Sequence, residues 1–169
     1  MYGCRLFRHR ANMTAMTAFV LALLIGIVAG LRTMTAPAAV SWAARLGWLK
    51  LAPTGLAFVG YAYTPWIFTV LALVELVTDQ LPTTPSRTVP IQFGARVVMG
   101  ALAGGAIGAG NGALVSGLIA GIVGAFIGTL GGHAFRARLA AAFGSDRPAA
   151  LIEDAVAIGG AFLVVMSLP

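Results

Sequence analysis

Long apolar runs separated by short polar breaks dominate the chain. The first covers residues 14–31, and others cover 54–80, 93–109, 114–135 and 148–168. Each is close to the roughly 20 apolar residues that a helix needs to cross a hydrocarbon core of about 30 Å. In lipid the backbone polar groups of such a run must be satisfied within the segment, which selects helix. The pattern predicts an all-α integral membrane protein with about five transmembrane helices.

The breaks carry their own information. Over residues 35–50, Trp42, Leu46 and Leu49 recur at helical spacing while Ser41, Arg45 and Lys50 fall elsewhere. That alternation predicts a short amphipathic helix, interfacial or re-entrant, with Pro37 tolerated near its start. Pro65 lies inside the second run and breaks it unless the membrane part begins there. Residues 81–90 hold Pro82, Pro85 and Pro90 and read as an extended loop. Gly110-Asn111-Gly112 is a tight turn between the third and fourth runs, and Ser145 and Asp146 are candidate N-caps for the fifth, ahead of Pro148.

Composition narrows the class. Of 169 residues, 59% are hydrophobic and only 9% charged, with a mean hydropathy of +0.93. A soluble domain carries roughly 25% charged residues, so the polar surface needed to face water is missing. We read residues 14–169 as one multi-pass membrane domain. Residues 1–13 form a basic leader, expected to be disordered or to precede the true start at Met13 or Met16. A cleaved signal peptide fits the first run less well, because Arg32 follows it at once. Cys4 is the sole cysteine, which excludes a disulfide framework and a thiolate metal cluster.

The net charge of +6 sits in short clusters between apolar runs, with no basic face for nucleic acid. No cofactor is implied, and the expected partners are membrane lipids and a second copy of the chain. Counting basic residues gives orientation. With the N-terminus inside, the inner loops hold eight: Arg5, Arg8, Arg10, Arg87, Arg96, Arg136, Arg138 and Arg147. The outer side holds Arg45 and Lys50, with Arg32 near the outer boundary. The expectation is a cytoplasmic N-terminus and a periplasmic C-terminus. Ten arginines against one lysine suggest a GC-rich bacterial genome, hence an inner membrane.

Glycine spacing marks helix packing. Gly100, Gly104 and Gly108 repeat every four residues, as do Gly117 and Gly121, then Gly124, Gly128 and Gly132. Such strips let backbones approach closely, either within a hairpin or along an oligomer seam. A weak echo relates Gly26-Ile27-Val28 and Ala44-Arg45-Leu46-Gly47 to Gly121-Ile122-Val123 and Ala137-Arg138-Leu139. With one span between them, the two units would form an inverted repeat, a device of many transporters.

The candidate chemistry is ionic. Glu75 and Asp79 share one helix face, where two carboxylates repel unless a cation, a proton or an arginine intervenes. Glu153 and Asp154 lie in the first turns of the last span, where the helix dipole favours negative charge. The expected topology brings these four acids to the inner face, with Arg87 and Arg96 as partners. Arg32 either snorkels outward or binds an anion or a lipid headgroup. The alternative for the acids is a headgroup-level position with structural neutralisation. No nucleophile elbow, paired histidines or cysteine–histidine arrangement is present, so an enzyme has the least support.

Several of these stretches resemble one family. Gly30-Leu31-Arg32-Thr33-Met34-Thr35-Ala36-Pro37, Glu75-Leu76-Val77-Thr78-Asp79-Gln80-Leu81-Pro82 and Pro85-Ser86-Arg87-Thr88 are similar to bacterial proteins grouped as domain of unknown function 4126. The likeness continues through the glycine-rich spans to Ile152-Glu153-Asp154-Ala155 and leaves out the leader. It implies a small multi-pass membrane protein and no activity. Function is therefore expected from the residues. The first expectation is a small transporter or channel-like protein for an ion or small solute, with an inner-side site at Glu75, Asp79, Arg87, Glu153 and Asp154 and with Arg32 as a further candidate binding residue. The alternative is a structural or lipid-interacting oligomeric protein without transport.

Overall fold

The computed structural model describes residues 2–52, 54–79 and 89–168, with the side chains of residues 2–14 outside the description. The described chain is helical: α1 Tyr2–Leu31, α2 Thr35–Arg45, a 3-10 turn Ala57–Gly60, α3 Thr64–Thr78, α4 Pro90–Gly110, α5 Leu114–Phe143 and α6 Asp146–Met166. Three helices, α4, α5 and α6, are long and apolar enough to cross a membrane, whereas Ala15–Leu31 and Thr64–Thr78 are shorter apolar stretches. Pro65 falls at the start of α3, where its missing N–H costs nothing, so the second expected span begins there rather than at residue 54. Helix α5 continues eight residues past the expected end at Phe135, to Gly144 in the left-handed conformation that glycine adopts freely.

Glycines set the centre of the bundle. Helices α4 and α5 are antiparallel, joined at Asn111–Gly112, where Gly112 has a positive φ of 72°. A Cβ on Gly100, Gly104 or Gly108 would collide with the backbone of Gly121, Gly117 or Ala113. Helix α1 closes on the next stretch of α5: a Cβ on Gly124 or Gly128 would strike the backbone of Leu23, Ile27 or Gly30. Gly132 continues this buried strip. The seam therefore lies within one chain. Gly26 and Gly30 are its α1 half, and they were outside the repeats that the spacing marked.

Pairing order gives direction. Gly26 meets Gly121 and Gly30 meets Gly128, so α1 and α5 run parallel. The two echoing units thus point the same way, and the inverted repeat is not what the fold contains. The reason is α2. Instead of lying at the interface, it packs inside the bundle against α1, α3, α4 and α6, burying Thr35, Ala36, Pro37, Val40, Ser41 and Ala43. Its polar Ser41 is wholly buried while Leu46 is exposed, the reverse of the amphipathic expectation. Beyond α2, Leu49 packs on Gly110 at the far end of α4. Trp42 then donates to Thr69 of α3 at 3.0 Å and meets Trp66 edge-on, so α2 and α3 form an antiparallel hairpin.

The six helices alternate in direction, and three of them are long and apolar enough to cross a membrane. Helix α6 runs antiparallel to α1, with Gly160 beside Val28 and Asp154 on Arg32. The N-terminal end of α1 and the C-terminal end of α6 lie at one end of the bundle. Arg45 and Lys50 lie at that same end, opposite Arg32, Arg96, Arg136, Arg138 and Arg147.

Candidate functional site

Where α1 stops and α2 starts, two helix ends meet inside the bundle. Four carbonyls at a helix C-terminus and four N–H groups at an N-terminus lack intrahelical partners. The corner supplies them from other helices. Arg96, near the start of α4 and only 2% exposed, donates through Nη1 to the carbonyls of Gly30 at 2.9 Å and Leu31 at 2.8 Å. Glu75, near the end of α3, accepts from the amides of Thr33 at 2.7 Å and Met34 at 2.8 Å, one on each carboxylate oxygen. Arg96 Nη2 stands 3.9 Å from Glu75 Oε1.

Arg32 occupies the corner itself and is completely buried. Its Nη1 pairs with Asp79 of α3 and its Nη2 with Asp154 of α6. This overturns its expected place near the outer boundary: α2 turns back through the bundle, so the end of α1 and the end of α3 are neighbours. Asp154 lies eight residues into α6, about 12 Å along the helix at 1.5 Å per residue. The Asp79 and Asp154 side chains keep 14% and 11% of their surface, while Arg32 between them keeps none.

A third arginine lies beside them. Arg136 of α5 grips Asp146 across the Gly144 turn through Nε at 2.9 Å and Nη2 at 2.5 Å, and its Nη1 lies 3.6 Å from the buried Glu153. Neither Arg136 nor Asp146 stood out in the sequence as a site residue. One was counted as loop charge and the other as an N-cap. The available signal was their opposite charge on the two sides of the Gly144 turn.

Of the expected site residues, Arg32, Glu75, Asp79, Glu153 and Asp154 come together, and Arg87 lies outside the described residues. Each of the five acids of the chain lies in an ion pair with Arg32, Arg96 or Arg136. Three arginines against five carboxylates leave two negative charges in excess. The acids are interleaved with guanidinium groups, and no group of three metal-ligating side chains forms among the described residues. What the arrangement can do is hold two helix ends together ionically, exchange a proton, or bind an ion that replaces one partner.

No curated protein and no solved structure matches the chain. Residues 19–169 match the family described as Domain of unknown function (DUF4126), and the chain belongs to that family.

Proposed function

We propose that the chain is a small channel- or transporter-like membrane protein for an ion or small solute, with the charged corner as its site and gate. The observation that carries this is Arg32, wholly buried between Asp79 and Asp154 of two different helices. Buried ion pairs seldom repay their desolvation, and apolar replacements are often as stable. Ionisable groups within membrane spans accordingly mark pathways and sites. Helix α3, which brings two of the acids, packs chiefly on α2 and the 3-10 turn and exposes Ile67, Val70, Val74 and Val77. It is the element best placed to move.

The test uses reconstituted liposomes and a panel of monovalent ions, protons and small organic solutes. The variant Arg32→Gln with Asp79→Asn and Asp154→Asn removes the charges while keeping shape. Wild-type protein is expected to move at least one member of the panel, and the variant none, although it folds. Undiminished flux in the variant, or no flux in the wild type, rejects the reading.

A second reading rests on Glu75 and Arg96, which satisfy amides and carbonyls at the α1–α2 corner and would serve a structural, lipid-embedded protein equally. The same assay separates the two.

A further inference from the structure

The amides of Thr33 and Met34 present two N–H donors to the two oxygens of a single carboxylate, at 2.7 and 2.8 Å. Behind them lies the positive end of the α2 dipole, a setting that favours anions. Arg96 stands 3.9 Å from the same carboxylate. Beside the amides, Arg32 is completely buried, and its Nε has no hydrogen-bond partner among the described residues. A buried donor left without an acceptor is costly, so the corner holds more donor capacity than Glu75 uses.

The anion now in place comes from α3, the most peripheral helix of the bundle. Charge permits its departure. Without Glu75 and Asp79, Arg32, Arg96 and Arg136 face Asp146, Glu153 and Asp154, three against three. Withdrawal of α3 strands no net charge, but it leaves two amides and Arg96 without their carboxylate.

We propose that this corner is a binding site for an organic carboxylate, and that Glu75 is the internal carboxylate which the ligand displaces. The proposal deepens the transport reading, on which its assignment of the solute class rests. Two amides matched to the two oxygens of one planar group select a carboxylate over a spherical halide. The acid arrives either from water, as a short organic acid, or from the bilayer, as a fatty acid.

Thermal unfolding of the purified full chain in detergent tests this, with acetate replacing chloride at constant ionic strength and, separately, with oleate against an uncharged alcohol of equal length. Saturable stabilisation by either acid is expected, and which acid acts identifies the source. Glu75→Gln removes the internal competitor and should bind the acid about tenfold more tightly, whereas Arg96→Gln should bind it about tenfold more weakly, each corresponding to roughly 1.4 kcal/mol. Should a variant not fold, the wild-type titration decides alone. Absence of saturable stabilisation by both acids overturns the proposal, as does equal stabilisation by acetate and chloride. Carboxylate binding in a protein that moves nothing across liposomes keeps this site and removes the transport reading. Proton or rubidium flux without carboxylate binding does the reverse.

Discussion

The glycine seam and the charged corner are neighbours on the same helices, yet they hold the bundle by opposite means. Along the seam, Gly100, Gly104, Gly117 and Gly121 have no side chains, and contact is backbone against backbone. At the corner, Arg32, Arg96 and Arg136 are among the longest side chains available, and contact is guanidinium against carboxylate or carbonyl. In lipid no hydrophobic force drives helices together, so close van der Waals approach and interhelical polar contacts must do so. The seam achieves it without desolvating any charge. The corner does so at the cost of burying Arg32 and Arg96 and partly burying Arg136, which a merely structural joint would not require. That difference is why function is proposed for the corner and not for the seam.

The largest expected effect breaks the corner on one side only. Arg32→Ala leaves Asp79 and Asp154 facing an empty, buried position, and loss of one partner in a buried pair costs about 3–5 kcal/mol. Arg32→Met with Asp79→Leu and Asp154→Leu should regain most of that stability, measured by denaturation in mixed micelles. Failure of the triple variant to recover would make the corner structural and erase the contrast with the seam.

Next comes the seam. Gly121→Ala puts a Cβ into the backbone of Gly100, and overpacking of this kind costs about 1–3 kcal/mol. Gly131→Ala, on the same helix with open space at its Cβ, should leave the unfolding midpoint unchanged. Equal behaviour of the two variants would show that α4 and α5 do not close as tightly as described.

Smaller still is the loss of the Trp42–Thr69 hydrogen bond, which fastens α2 to α3. Trp42→Phe should cost about 0.5–1.5 kcal/mol, and more than Trp48→Phe at the exposed far end. The smallest effect belongs to Asp146→Asn, whose side chain is 61% exposed. Its pair with Arg136 is worth at most about 1 kcal/mol, and its loss should be masked by salt. Topology offers a separate check: reporters fused to the two ends of the chain should signal from one compartment. Opposite compartments would mean that α1 and α6 do not both cross the bilayer.

Much of this fold is legible in the residues. The runs at 93–109 and 148–168 predict α4 and α6 within a few residues, because apolar length and terminal prolines are local properties. The turn at Gly110-Asn111-Gly112 and the four-residue glycine spacing are equally local. Of the two expectations for residues 35–50, interfacial or re-entrant, the interfacial one fails for a physical reason. Buried among other helices rather than between water and lipid, α2 turns Ser41 inward, and polarity along its sequence no longer reports its exposed face.

An interfacial α2 would put the ends of α1 and α3 on opposite sides, separating Arg32 from Asp79 and setting the echoing units antiparallel. Glu75, Asp79, Glu153 and Asp154 were still expected together, since their grouping depended on α3 and α6 alone.

By itself, then, the sequence determined that this polypeptide is helical and suited to lipid, which residues are ionisable, and where small residues allow close approach. These follow from transfer free energy and helical period, which act over neighbouring positions. Only the tertiary structure decided the burial of α2 among the other helices, the meeting of Arg32 with two carboxylates, and the capture of the Thr33 and Met34 amides by Glu75. Each depends on which helix ends share one end of the bundle, a relation between residues more than 40 positions apart that no local pattern encodes.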